Sequence, residues 1–198
     1  TPGVFNFTEQ NNGGTVQTNG VPGTVKRYFA FEGSTADGSG NGINGTAVNA
    51  PLYTSQFPPG MASGQSLDFN GTNQYVNVPD TVQPTAFTIT AWVKPDTIRA
   101  QSIIVRTDGN GPTVSWSHQI RMTTAGQFQA YVYDGNVKSI TGTTVATAGQ
   151  WYHVAVTAQN GGFMRLYVNG TAEGVQTGIA SLWSGGTRWM IGSNSANG

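Results

Sequence analysis

A chain of 198 residues with nine basic and nine acidic side chains carries no net charge, and only 9% of its residues are charged. That excludes the basic stripe needed to displace counterions from nucleic acid, and no apolar run approaches the roughly 20 residues of a membrane-spanning helix, so membrane insertion is not expected. Cysteine is absent, which excludes disulfides and thiolate metal sites.

Hydrophobic residues make up 37% and aromatics 11%, so the strand formers Val, Ile, Phe, Trp and Tyr must supply the core. Gly, Thr, Asn, Gln and Ser replace charge as the polar surface. This composition suits a protein outside the cell or on a virion surface. One all-β domain with a short appendage fits the length.

Residues 1–25 have one short apolar run, Val4 to Phe7, followed by Asn, Gly, Thr and Pro without periodicity. They read as an arm or linker carrying one strand. The strand pattern proper opens with RYFAFEG (27–33), and a Gly/Asn loop, DGSGNGINGT (37–46), follows. Pro58 to Gly64 reads as an irregular turn. Four segments then alternate apolar and polar residues: SLDFNGTNQYVNVP (66–79), FTITAWVKP (87–95), QFQAYVYDGNVKSI (127–140) and WYHVAVTAQNGGFMRLYVNGT (151–171). A period of two buries one face of each strand. Phe87, Ile89, Ala91 and Val93 form one such face; Tyr152, Val154 and Val156 form another, and Leu166 and Val168 a third. Asn-Gly between two runs predicts a tight hairpin, since both turn residues take positive φ. The expected architecture is all-β, a two-sheet antiparallel sandwich.

Catalysis finds little support. A retaining glycosidase needs two carboxyls about 5–5.5 Å apart, yet Glu9, Glu32 and Glu173 have no acid two or four positions away. The aspartates are equally isolated, mostly in turn-forming contexts. Neither His118 nor His153 has a metal-ligand spacing, and no serine sits in a nucleophile elbow. The chain is expected not to be an enzyme.

Sugar recognition uses exposed aromatics against pyranose faces, with amides and carboxylates for hydroxyls. The long polar loop RTDGNGPTVSWSHQ (106–119) and the strand ends nominate Asp108, Asn110, Trp116, His118, Tyr133, Asp134 and Trp183 as ligand-binding residues. Tyr131 and Trp189 are further aromatics whose bland alternative is sheet packing, and His118 has a structural alternative in the core. Asn6, Asn44, Asn70 and Asn169 each open an Asn-X-Thr triplet, and Asn70 and Asn169 read better as turn residues.

The pieces YFAFEGSTADGSGNGINGT, GQSLDFNGTNQYVNVP, FTITAWVKP, GQWYHVAVT, MRLYVNGT and IGSN, in this order over residues 27–194, resemble the laminin-G-like domains of the concanavalin A-like lectin/glucanase superfamily, of bacterial or viral type. The resemblance implies a jelly roll over 26–198 and a glycan or cell-surface polysaccharide as partner. It also implies a closing acidic strand after IGSN. The sequence ends at Gly198, so the expectation is either a fragment or a place filled by another strand, with GVFNF (3–7), from this chain or a neighbour, as the candidate. That would make other protein chains of an assembly partners, and a purely structural subunit is the rival to a binding module. Relatives of this type often hold structural Ca²⁺ in loops like 37–46. Asp37, Ser39 and Asn41 mimic the first half of an EF-hand loop, but the closing glutamate position is Val48. Those three residues are the candidate calcium ligands, with a metal-free turn as the alternative.

Overall fold

The computed structural model describes residues 4–6 (backbone only), 25–80, 85–108 and 116–193. The strands are β1 (Val4–Asn6), β2 (Thr46–Val48), β3 (Leu52–Thr54), β4 (Ser66–Asp68) and β5 (Tyr75–Pro79). The longer ones follow: β6 (Ala86–Lys94), β7 (Gln101–Thr107), β8 (Trp116–Met122), β9 (Gln127–Tyr133) and β10 (Val137–Val145). The last four are β11 (Tyr152–Gln159), β12 (Gly162–Val168), β13 (Thr171–Ile179) and β14 (Arg188–Ile191). Among the described residues no helix is long and apolar enough to cross a membrane.

Two seven-stranded sheets face each other, ordered β13-β12-β11-β6-β1-β4-β3 and β10-β9-β8-β7-β14-β5-β2. Every pairing is antiparallel, giving the expected jelly-roll sandwich. Alternation places the core where it was read: Ile89, Ala91 and Val93 of β6, Val154 and Val156 of β11, and Leu166 and Val168 of β12 are buried between the sheets. The opposing layer comes from Ile120 and Met122 of β8, Phe128, Ala130 and Val132 of β9, and Val76 and Val78 of β5.

The Asn-Gly hairpin between β12 and β13 has both turn residues at positive φ, 50° at Asn169 and 80° at Gly170. Asn169 also accepts the amide of His153 on its side-chain oxygen at 2.9 Å, so the turn is tied to β11. Asn70 organises the β4–β5 turn by accepting the amides of Thr72 and Asn73.

RYFAFEG differs from the expectation. Phe29 and Phe31 are buried and stacked at 5.9 Å, yet the segment joins no sheet. Its polar backbone is spent elsewhere: the Tyr28 amide donates to Asp37, and the Tyr28 carbonyl accepts from Gly38. Phe31 then takes φ 58°, which ends any extended run.

β1 lies between β4 and β6, pairing Val4 with Asp68 on one side and Lys94 on the other. It bridges β4–β3 to the rest of its sheet, so the arm supplies an interior strand. At the far edge the two sheets converge. A register shift between Thr141 and Val145 of β10 frees two amides, those of Thr143 and Thr144. Glu173 of β13 accepts both, at 2.9 and 3.1 Å, and also the Thr144 hydroxyl. Gly142 permits this approach, since a Cβ there would stand 2.3 Å from the Glu173 carboxylate.

Candidate functional site

The loop at 37–46 folds around one carboxylate. Asp37 Oδ1 accepts the amides of Tyr28 and Ser39, and Oδ2 accepts the Ser39 hydroxyl and the Ile43 amide, at 2.8–3.2 Å. Burial pushes this carboxyl up, but the donors from Ser39, Tyr28 and Ile43 together hold it below the ordinary aspartate value. Asn41 turns its NH₂ group toward the carbonyls of Val25 and Lys26 and the Ser39 hydroxyl. A carboxylate offers about four acceptor positions, and all four face protein donors. The arrangement does not fit a calcium ligand set, which would need those oxygens turned to a cation. Among the described residues no three His, Cys, Asp or Glu side chains gather as a metal site. A chelator is therefore expected to leave the melting temperature unchanged. Asp37→Ala should lower stability by about 2 kcal/mol, because a charged acceptor is removed from several donors. Thermal melts with and without EDTA check both; a downward shift with EDTA would restore the metal.

The proposed ligand-binding residues do not gather at one place. Tyr133, Asp134 and Trp183 do meet: the Trp183 amide donates to the Tyr133 carbonyl at 2.9 Å, and Asp134 accepts the amide of Ala180 at 2.9 Å. Asp134 also accepts the Asn136 amide within the β9–β10 turn, so its carboxylate is engaged in shaping the chain. Asp108 is exposed at the end of β7, where its carbonyl accepts the Thr187 hydroxyl. Asn110 lies outside the described residues.

His118 requires correction. Its side chain is fully buried, stacked on Phe87 with ring centroids 4.4 Å apart and tilted against Trp189. It cannot line a surface. Trp189 is likewise in the core. Burial, with Arg106 nearby, lowers the imidazole to about 4, against opposing contributions from the Ser117 backbone and Asp80. Among the described residues neither ring nitrogen has a hydrogen-bond partner.

Trp116 is on the outside because of a bulge. Arg106 pairs with His118 and Thr107 with Trp116, leaving Ser117 as an extra residue. Such a bulge re-aims the neighbouring side chains. Ser117 and His118 both turn inward, and Trp116 turns to the outer face of its sheet. There it packs near Tyr75, Val105 and Met190 and meets Tyr131 edge-on at 5.4 Å. Tyr131 is in turn covered by the Arg121 guanidinium, 4.6 Å above its ring, and its hydroxyl accepts from Arg121 at 2.7 Å. A stripe Trp116–Tyr131–Arg121 thus crosses the outer face.

The stripe leads into a cleft of about 270 Å³ beside the start of β7 and the end of β8. Arg99, Arg121, Gln101, Gln119, Ser102 and Thr72 are among its lining residues. Sequence reasoning nominated Trp116 and Tyr131 but missed Arg121, Arg99 and the glutamines. They come from β8, from the start of β7 and from the β6–β7 connection, and no local motif joins them.

Carboxylates are absent from the described lining of the cleft. Folding does bring one acid pair into electrostatic contact: burial and Asp96 both push Asp68 up. The two are far apart in sequence, and neither lines the cleft.

No curated protein matches this chain in sequence. A laminin-G-type family model of the concanavalin A-like lectin/glucanase superfamily matches residues 70–198, more than half of its length. The chain belongs to that family. Among solved structures, this laminin-G-like chain is similar to domain 4 of an extracellular arabinanase from Geobacillus stearothermophilus, solved in complex with arabinotriose. Identity is 19% and the TM-score 0.62, over 83% of this chain and 81% of that one. It is similar also to the binding domain of Paraclostridial Mosquitocidal Protein 1 (15% identity, TM-score 0.62, 82% of this chain, 43% of that chain). A third is the binding domain of botulinum neurotoxin DC in complex with SialylT (12% identity, TM-score 0.56, 82% and 42%). The laminin-G-like chain therefore spans most of the arabinanase domain and less than half of the two toxin domains. At these identities the likeness establishes the fold.

Proposed function

We propose that this laminin-G-like domain is a non-catalytic carbohydrate-recognition module working outside the cell, within a larger protein or assembly. The observation that carries the reading is the outer stripe Trp116–Tyr131–Arg121 opening into an amide-rich cleft. Half-exposed aromatic rings offer faces to pyranose C–H groups, and amides and guanidinium groups match hydroxyls. That similar domains were solved with arabinotriose and with SialylT supports the class of ligand. A glycan array should show binding. Trp116→Ala or Tyr131→Ala should each weaken it about tenfold, or ~1.4 kcal/mol. Absence of binding to any glycan would sink the reading.

A second reading, a structural subunit completed by strand exchange, is favoured by β1. A three-residue strand sits between β4 and β6, and a neighbour's arm of the same sequence would satisfy the same ladder. A strictly monomeric particle at high concentration would rule it out.

A further inference from the structure

The cleft has a charge that the rest of the chain does not prepare for. Nine basic and nine acidic residues balance overall, yet the described lining contains Arg99 and Arg121 and no aspartate or glutamate. The two ion pairs found among the described residues, Arg27–Asp80 and Arg106–Asp80, involve neither arginine. Arg121 donates from Nε to Gln129 and from Nη2 to Tyr131, which holds the guanidinium over the tyrosine ring. Among the described residues Arg99 donates only a long 3.4 Å bond to the Gly71 carbonyl. A guanidinium has five N–H donors, so most of this donor capacity remains unspent. It is also oriented, since Arg121 is fixed by three contacts. Two cations, Arg121 held in place and Arg99 exposed beside it, with no acid in the described lining favour an anion, and a planar fork favours a carboxylate or sulfate over a hydroxyl.

The geometry points to an acidic saccharide as the ligand: the Arg99–Arg121 cleft takes a carboxylate or sulfate group of a sugar whose neighbouring ring lies along Tyr131 and Trp116. This rests on the carbohydrate reading above and narrows it to anionic glycans. The neutral amide of Gln101 and the Ser102 hydroxyl in the same lining are placed to accompany the anionic group with hydroxyl contacts.

The test uses the whole chain on an array of matched pairs: oligouronates beside their methyl esters, and sulfated oligosaccharides beside their desulfated forms. The two kinds of pair distinguish carboxylate from sulfate. Hits are followed by calorimetry at low and high salt. Acidic members should bind about tenfold or more tightly than their neutral partners, and added salt should weaken them, as expected for charge-assisted contacts. Arg99→Gln, an exposed change that leaves the sheets untouched, should remove most of that discrimination, and Arg121→Gln should do the same. Equal binding of neutral and acidic members, or discrimination unaffected in both variants, overturns the inference while leaving a neutral-glycan module. Binding to no member of any pair overturns the carbohydrate reading itself, and this inference with it.

Discussion

Replacing Arg106 by methionine is expected to lower stability by about 3–5 kcal/mol, the usual cost of breaking a buried ion pair by removing one partner. Arg106 is 1% exposed and Asp80 5%. Its Nε donates to Asp80 Oδ2 at 2.6 Å, while Arg27 reaches Oδ1 of the same carboxylate at 2.9 Å from a more exposed position. Nη1 of Arg106 lies 3.4 Å from the Ser117 hydroxyl and 3.5 Å from the Trp183 carbonyl. One side chain thus gathers the end of β5, the bulge of β8 and the segment before β14. Gly186 leaves room for it, because a Cβ there would fall 2.7 Å from Nη1. Methionine fills part of the space but leaves Asp80 buried without its closest partner. The double variant Asp80→Leu, Arg106→Met should regain part of the loss, since neither fully buried charge then needs solvation, while Arg27 loses its carboxylate and keeps its bond to the Pro79 carbonyl. Urea unfolding of wild type, both single variants and the double variant gives the cycle. A single-variant loss below ~1 kcal/mol would show that the pair does not hold this end of the sandwich.

Acid should weaken the fold through His118. Its folded value of about 4 lies below the ordinary 6.5, because a fully buried imidazole resists charging. The unfolded chain therefore binds a proton that the folded chain refuses. The stabilisation is complete above pH ~6.5, is lost progressively as pH falls toward ~4, and is constant below that. The gap corresponds to about 3 kcal/mol at 1.36 kcal/mol per unit. Urea midpoints measured from pH 7 to 4 should fall accordingly in the wild type. In His118→Leu the fall over that window should be clearly smaller, the remainder coming from His153, whose half-buried imidazole is also held below its ordinary value by burial. The variant sacrifices the stack on Phe87 but no hydrogen bond to the described residues, among which neither ring nitrogen has a partner. Asp37 and Asp134 are held below the ordinary aspartate value and contribute their own losses only at lower pH. A wild-type profile as flat as the variant's would refute the role of His118.

Much of the fold was legible along the chain. Two-residue alternation located the buried faces of β6, β11 and β12, and Asn169-Gly170 marked a hairpin whose turn residues both need positive φ. The reading went astray at RYFAFEG, where the apolar pattern is real and the pairing is not. Periodicity reports which side chains are buried, and it is silent on where the backbone amides find partners. The ligand-binding nominations show the same limit. Trp116 and His118, two residues apart, should share a face, yet one extra residue at Ser117 sends the tryptophan out and the histidine in.

What the sequence determines by itself is therefore local and periodic: the all-β class, the buried faces, the turns and the laminin-G-like order of the segments. These depend on residues within a few positions of one another, where backbone geometry links spacing to side-chain direction. Only the tertiary structure decides the rest. It puts the arm's Val4–Asn6 between β4 and β6, encloses Asp80 between Arg27 and Arg106, and lines one cleft with Arg99 and Arg121. Those arrangements join side chains from strands remote in sequence, and charge and hydrogen-bond partners are settled by distance through space, which no spacing along the chain encodes.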